Sequence, residues 1–351
     1  MALLACAGLL AAPDSTAQSA AHRASKPERA PIVTEADVIC VKAEELTRNG
    51  QCETAIALLN RAIRQHPDCA SLYGWRARLK CSAALDSTNT LRQKALLVQV
   101  EHDIAQALAL DKTVSNAYYA RARLELLEPN EEKALKDLGK AIELDGKNLP
   151  ARYWRSQMYE GEGKYDAALK DLDVMVNAQP TRDTLTKRAL MRRHARDFKG
   201  AIDDLTHALK LEPSFIIFVR RGDVYEQVNE NEKAIADFRE ALKSPVQEKD
   251  RASLHKKLAR IYFELKRYAE ASKELEAVLA IYPGELQSTG THLTCQMKLK
   301  KWDAALKDAN SLIEWENGYY GYYRQRAEIY RNMGKADLAS ADEQKAKQLQ
   351  K

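Results

Sequence analysis

Small and bulky apolar residues recur along most of this chain at positions that fall on one face of a helix. An alanine-like residue is followed four positions later by a bulky apolar residue, and three positions after that by a second alanine-like residue. That spacing predicts an amphipathic helix. The pattern recurs at intervals of 33 to 45 residues, most often 34, which predicts nine structural repeats rather than two or three unrelated domains. Its first members are Ala55, Val100, Ala134, Ala168, Ala201, Ala234, Ala271, Ala305 and Ala339.

A second pattern precedes most of these helices. A small residue lies twelve positions before the first alanine-like residue, often with an aromatic residue three positions further on, as in Ser156 with Tyr159 and Gly222 with Tyr225. Several copies end at a proline, which stops a helix because it lacks an amide N–H and clashes with the previous turn. Each repeat is therefore predicted to be two short helices joined by a tight turn, with small residues where the backbones approach.

These motifs resemble those of the tetratricopeptide repeat family. The resemblance covers residues 36–351 as about nine units and is most specific in segments 218–245 and 323–346. The second unit departs from the pattern by an insertion of about 11 residues near 82–94, and the eighth lacks a clear small residue in its first helix. The resemblance implies an all-α solenoid over residues 33–351, coiled as a right-handed superhelix whose concave groove is lined by the first helix of each unit.

The first 32 residues differ from the rest of the chain. Residues 1–12 form an apolar run, MALLACAGLLAA, and a polar linker follows them. Twelve residues are too few to span a bilayer, which needs about 20, but they fit the apolar region of a secretory signal. The residues around Cys6 also resemble a bacterial lipoprotein box. We expect a periplasmic or lipid-anchored protein of a bacterial cell envelope; because no basic residue precedes the run, a cytoplasmic protein is the alternative.

An arginine and an aspartate recur sixteen residues apart, a spacing that places them on the two helices of one hairpin. Recurrence in unit after unit favours a structural ion pair over a catalytic one, and each pair is worth about 0–1 kcal/mol if it is exposed. The pairs are Arg121 with Asp137, Arg155 with Asp171, Arg188 with Asp204, Arg221 with Asp237 and Arg326 with Asp342, and His292 with Asp308 occupies the same positions.

Four of the six cysteines, Cys40, Cys52, Cys69 and Cys81, lie in the first two units. None belongs to a C-x-x-C pair, so a zinc site is not expected. Stacking of two hairpins would place Cys52 near Cys81 and Cys40 near Cys69, and two disulfides would suit an exported protein. The interpretation that we favour is four free cysteines acting as small buried residues at helix contacts.

Motifs and composition argue against an enzyme. The chain has no phosphate-binding loop, zinc-protease motif or serine-hydrolase motif, and its seven histidines lack the spacing of metal ligands. We therefore expect no catalytic residue, cofactor or metal, and predict a scaffold that binds a protein or peptide. A helical-repeat nucleic-acid-binding protein is the alternative, but a net charge of +5 is weak for that role and acidic residues interleave with the groove arginines.

The resemblance places a ligand in the groove, against exposed residues of the first helices. Tyrosine supplies flat contact area and arginine grips carboxylates with parallel hydrogen bonds, so a partner with acidic residues is expected. The candidate contacts are Tyr119, Arg123, Tyr153, Gln157, Lys187, Arg220, Lys256, Arg260 and Arg324.

Members of this family that bind chaperone C-terminal tails use a carboxylate clamp of lysine, asparagine and arginine from three consecutive units. Lys256 suits the first lysine of such a clamp, but Arg260 and Thr291 stand where asparagines are required. Gly321 and Gln325 replace the final basic pair. The sequence therefore disfavours a clamp for a chaperone-tail carboxylate.

Overall fold

The computed structural model describes residues 34–127 and 130–350, which form eighteen α-helices and no strand. The predictions made for residues 1–32 lie outside the described residues. In chain order the helices are α1 (Glu35–Arg48), α2 (Cys52–Gln65), α3 (Ala70–Leu85), α4 (Thr90–Leu110), α5 (Ser115–Glu125), α6 (Glu131–Leu144), α7 (Leu149–Gly161), α8 (Tyr165–Ala178), α9 (Arg182–His194), α10 (Phe198–Leu211), α11 (Phe215–Gln227), α12 (Asn231–Leu242), α13 (Glu248–Glu264), α14 (Tyr268–Ile281), α15 (Leu286–Lys298), α16 (Trp302–Trp315), α17 (Tyr320–Asn332) and α18 (Ala336–Leu349).

The helices pack as nine consecutive hairpins. Each odd-numbered helix contacts the even-numbered helix that follows it, and each even-numbered helix contacts the first helix of the next unit. Contacts are therefore local along the chain, and a hairpin buries its apolar face against its neighbours rather than in one central core. The predicted all-α solenoid of about nine units is confirmed.

The small residues of the sequence pattern lie where two helices of one hairpin touch. Ala122 in α5 and Ala134 in α6 are both fully buried, as their positions in the pattern require. In the sixth unit the second helix carries Phe238 where six other units have leucine or isoleucine, and the first helix carries Gly222. A Cβ atom on Gly222 would lie 2.6 Å from the Phe238 ring, so only glycine leaves room for that ring.

Seven of the described hairpin turns share one backbone feature. The residue two positions before the second helix has a positive φ of 57° to 76°. Gly50, Gly163 and Gly334 adopt this left-handed conformation without steric cost. Four other residues adopt it despite their Cβ atoms, namely Arg196, Asn229, Lys266 and Lys300. The turn is therefore imposed by the packing of the two helices and not by the turn residue alone.

The insertion of the second unit lies across the end of α3, a four-residue connection and the start of α4. It makes α4 the longest helix of the described chain, at 21 residues. Leu91 and Val98 on its first half are strongly exposed. None of the described helices is long and apolar enough to cross a membrane.

The predicted arginine–aspartate pairs are all formed. In each of the five units the arginine donates from Nε and Nη2 to both carboxylate oxygens, over 2.5–2.9 Å. The value of about 0–1 kcal/mol given for exposed pairs does not apply to them, because the five aspartates are only 0–6% exposed. The geometry is that of bidentate, charge-assisted bonds beneath the surface.

The eighth unit fills the same position with a histidine network. His292 Nδ1 lies 2.7 Å from Asp308 Oδ2, and its Nε2 lies 3.0 Å from Ser272 Oγ. Gln296 Nε2 lies 2.9 Å from the same His292 nitrogen and 3.0 Å from Ser272 Oγ. Burial lowers the pKa of His292, but Asp308 and Glu276 outweigh it, and the net shift of the pKa is upward.

The structure has four free thiols in place of the two candidate disulfides in the first units. Cys40 and Cys69 belong to one core cluster between the first hairpin and α3, whereas Cys81 packs against α4 and α5. Burial raises the pKa of the Cys40 thiol to about 12 and that of Cys81 to about 11, which keeps both protonated and unreactive. The favoured interpretation of small buried cysteines fits this packing at Cys40 and Cys81.

Candidate functional site

The face formed by the first helices of successive units carries the predicted groove residues. We call the part formed by α5, α7, α9 and α11 the anterior groove. The first helices α13, α15 and α17 surround a cavity of about 880 Å³, which we call the posterior pocket. The two differ in how their charged residues are paired, and this difference decides what each can bind.

In the anterior groove, cationic side chains lie on aromatic rings of neighbouring units. The Arg123 guanidinium is 3.8 Å from the centre of the Trp154 ring, and Lys187 Nζ is 4.9 Å from that of Tyr153. Cation–π contacts of this kind contribute about 0.5–2 kcal/mol each and hold the cation in place. Gln157 Nε2 is 3.4 Å from the Tyr153 hydroxyl, so this predicted contact belongs to the same group.

Tyr119 is not available in the way that the sequence analysis expected. Its ring is only 4% exposed and packs with Leu138 and Ala151 in the core between the third and fourth units. Its hydroxyl accepts a hydrogen bond of 3.2 Å from Arg123. Tyr119 therefore positions a groove arginine and offers no flat surface to a ligand.

Three predicted contact residues of the anterior groove are cations without an acidic partner among the described residues. No carboxylate of the described chain lies within ion-pair distance of Arg123, Lys187 or Arg220. Arg220 borders a small cavity of about 230 Å³ that is also lined by Asp250 and by Ile216, which is 54% exposed. This part of the groove combines positive charge with exposed apolar surface.

The predicted cations of the seventh unit are already neutralised. Lys256 Nζ lies 3.1 Å from Glu285, and Arg260 Nη2 lies 2.5 Å from Glu226. Although burial opposes it, bonds from Ser288 and Lys256 lower the pKa of Glu285, which keeps this carboxylate charged. An acidic ligand at these two residues would have to displace a carboxylate that the chain itself supplies.

Arg324, the predicted contact in the ninth unit, also has an internal partner. Its Nη2 donates to Gln350 over 2.6 Å, and its guanidinium lies 5.0 Å from the centre of the Tyr320 ring. Thr291, one of the residues that replace a clamp asparagine, donates its hydroxyl to the Gln287 carbonyl of its own helix. Except for the buried Tyr119, the predicted residues thus belong to the first helices that form this face, but only some of their charges are unpaired.

The sequence did not predict the posterior pocket, because the pocket exists where long side chains are absent. On α15 the residues that face the pocket include Gly290, Thr291 and Thr294, which are shorter than the lysine and arginine of α13. Aromatic residues stand on both sides of this gap. Phe263 lies on α13, Tyr322 lies on α17, and Tyr319 directly precedes α17. The irregular sequence of the eighth unit was the signal that could have indicated this pocket.

A family model described as tetratricopeptide repeat matches residues 40–79 and 219–285. The Hsp70-Hsp90 organizing protein of Triticum aestivum is 24% identical over 230 residues, which cover 62% of this chain and 37% of that protein. The DnaJ homolog subfamily C member 3 of Gallus gallus is 26% identical over 214 residues, which cover 56% of this chain and 41% of that protein. The chain therefore spans about two fifths of the length of these relatives.

Among solved structures, the C-terminal part of a TPR repeat-containing protein from Cytophaga hutchinsonii is similar in fold. The superposition has a TM-score of 0.51 at 14% identity and covers 72% of this chain and 98% of that one. At this identity the likeness concerns the fold alone. The two segments matched by the family model lie in the same array of hairpins that the repeat period predicts. The chain is therefore similar to tetratricopeptide repeat proteins in these two segments and in its fold.

Proposed function

We propose that the protein is a non-catalytic scaffold whose anterior groove binds an acidic segment of a partner protein and so holds that partner in a complex. The observation that carries the proposal is the set of Arg123, Lys187 and Arg220, three groove cations without a carboxylate partner in the part of the chain that the structure describes. Two of them rest on aromatic rings, so their side chains are ordered before a ligand arrives. Less conformational entropy is then lost on binding.

The charges of the groove favour a protein over a nucleic acid as the ligand. A nucleic-acid-binding surface needs a continuous row of cations that neutralises many phosphates. Here the row is interrupted after Arg220, because Glu226 on the same helix and Glu285 just before α15 already bind the two predicted cations of the seventh unit. A short acidic peptide segment needs only the three unpaired cations.

The proposal is tested by crosslinked affinity capture from native extract, read by mass spectrometry. A variant with Lys187→Glu and Arg220→Glu reverses two of the unpaired groove charges and should lose the partner that the parent captures. The matched control carries Lys199→Glu and Lys210→Glu on α10, where both lysines are exposed and no described carboxylate pairs with them. It changes the net charge equally, outside the groove, and should retain the partner.

Two results would contradict the proposal. Equal capture by the parent and the groove variant would move the interaction to another face of the solenoid. Loss of capture by both variants would show that the overall charge, and not the groove, governs the interaction. Recovery of an Hsp70 or Hsp90 chaperone by the parent and the control, but not by the groove variant, would extend to this chain the partners named for its plant relatives.

A further inference from the structure

The posterior pocket is open in its middle, and exposed apolar and aromatic side chains stand among the polar residues of its walls. Leu286 and Tyr319, which line it, are 40% and 47% exposed, although both are large apolar or aromatic side chains. A Cβ atom built on Gly290 meets no other atom within 4 Å, so the gap above α15 is open space. A volume of about 880 Å³ falls within the range of roughly 300–1,000 Å³ of ligand sites.

Negative charge is in excess around this pocket. Its three cations are each paired with a carboxylate: Lys256 with Glu285, Lys257 with Asp223 over 2.6 Å, and Arg260 with Glu226. Two more carboxylates, Glu264 and Glu316, line the pocket and are exposed. No cation of the described chain lies within ion-pair distance of either, so the surroundings carry an unbalanced charge of about two negative units.

We propose that the posterior pocket binds a peptide segment in which a large aromatic side chain is flanked by lysine or arginine. The aromatic side chain enters the gap above Gly290 between Phe263 and Tyr322, and the flanking cation pairs with Glu264 or Glu316. This deepens the proposed function, on which it rests, and it gives the two parts of the groove opposite charge preferences. A partner that binds both parts of the groove would carry an acidic segment and, separately, a segment with an aromatic residue next to basic ones.

Each part of that ligand matches a feature of the pocket. An aromatic ring buries a large apolar area at the cost of fixing only two torsion angles, and it can meet Phe263 and Tyr322 edge to face. The hydroxyl of Tyr322 is already directed at Glu316, 3.3 Å away, and this carboxylate keeps further acceptor positions for a ligand cation. An acidic flank would instead face two unpaired carboxylates and be repelled.

The test uses three fluorescein-labelled octapeptides of serine and glycine that differ only in a central triplet: Trp-Lys-Lys, Trp-Glu-Glu or Ser-Lys-Lys. Fluorescence anisotropy measures their binding to the full chain. The Trp-Lys-Lys peptide should bind at least about tenfold more tightly than either of the others, since each of these lacks one of the two matched features. Tighter binding of the Trp-Glu-Glu peptide, or no detectable binding of any peptide, would overturn the proposal.

Two matched glycine variants locate the binding. Gly290→Phe fills the gap without a clash at Cβ and should weaken the Trp-Lys-Lys peptide at least about tenfold. Gly139→Phe adds the same side chain to α6, where Cβ is equally free, and should leave binding unchanged. Circular dichroism verifies that both variants fold.

A third variant separates the charge from the cavity. Glu264→Gln with Glu316→Gln should abolish the preference for Lys over Glu flanks while the preference for Trp over Ser persists. Because the groove variant Lys187→Glu with Arg220→Glu leaves the pocket intact, it should bind the Trp-Lys-Lys peptide like the parent. Normal peptide binding by the parent, together with equal partner capture by the parent and the groove variant, would then contradict the proposed function alone. Unaltered peptide binding by Gly290→Phe would contradict only this inference.

Discussion

Replacing Asp237 by alanine should remove more stability than any exposed ion pair of this chain can provide. Asp237 is 4% exposed and accepts two charge-assisted bonds from Arg221, of 2.8 and 2.7 Å. Hydrogen bonds to charged groups contribute about 1.5–3 kcal/mol each, which gives about 3–6 kcal/mol for the two. Loss of one partner from a buried pair costs about 3–5 kcal/mol, because the other charge stays buried without compensation. We therefore expect Asp237→Ala to cost about 3–5 kcal/mol.

The same helix offers a matched control. Glu232 also belongs to α12 and accepts a bond of 2.8 Å from Arg267, but its side chain is 73% exposed. Glu232→Ala should therefore cost no more than about 1 kcal/mol. Because repeat arrays can unfold in parts, urea unfolding followed by circular dichroism is combined with hydrogen exchange of the α11 and α12 amides. Both measurements should rank the two variants in the same order.

The double variant Arg221→Met with Asp237→Leu tests the reason for the loss. If the cost of Asp237→Ala comes from an uncompensated guanidinium, removing both charges should recover most of it. A cost of Asp237→Ala no larger than that of Glu232→Ala would refute the reasoning. The reasoning would also be refuted if the double variant lost as much free energy of unfolding as its two single variants together, because the pair would then show no coupling.

Three further substitutions test the packing of the hairpins, their turns and the histidine network. Gly222→Ala should lower the free energy of unfolding in urea by about 1–3 kcal/mol, since its Cβ would lie 2.6 Å from the Phe238 ring. Gly290→Ala should instead raise that free energy by up to about 1 kcal/mol. Equal effects of the two substitutions would contradict the packing argument. Lys266→Gly should raise the thermal midpoint, because a left-handed conformation costs a non-glycine residue about 1–2 kcal/mol, and a lower midpoint would show that other contacts of Lys266 outweigh the strain. Because the pKa of His292 is raised in the fold, its charged form stabilises the protein below the ordinary pKa of about 6.5, and this stability is lost as the pH rises through the folded pKa. Melting scans at several pH values should therefore show the stability advantage of the parent over His292→Gln shrinking with rising pH, and a constant advantage would mean that charge plays no part.

The sequence could predict the framework of the fold because each structural position repeats. Ala122 and Ala134, for example, occupy positions that recur in most units, and the structure buries both completely. The sixteen-residue spacing of Arg221 and Asp237 likewise predicts their pairing, since it joins two helices of one hairpin. The burial of that pair, and hence its value, was not predicted, because a spacing says which residues meet but not how much solvent reaches them.

The groove could be predicted only in part, because its charges pair between units at no fixed spacing. Lys256 meets Glu285 from 29 residues further along the chain, whereas Arg260 meets Glu226 from 34 residues before it. Only the pairs within one hairpin, sixteen residues apart, were recognised in the sequence, so both cations were predicted to be available to a ligand. The prediction for Tyr119 was wrong for a related reason. Whether its ring faces the groove or the core depends on the packing of the next hairpin.

The functional differences between the units arise where the chain departs from its own pattern. A regular eighth unit would present long side chains above α15, and no gap would exist between Phe263 and Tyr322. Gly290 and Thr294 open that gap, and His292 stands where the five units with an arginine–aspartate pair have arginine. The positions that repeat hold the hairpins together, so they are constrained in the same way in every unit. The residues of the groove face are not needed for this packing, so they can differ from unit to unit. One repeated fold therefore carries cations without acidic partners among the described residues in the anterior groove, and an aromatic pocket with excess negative charge at the posterior end.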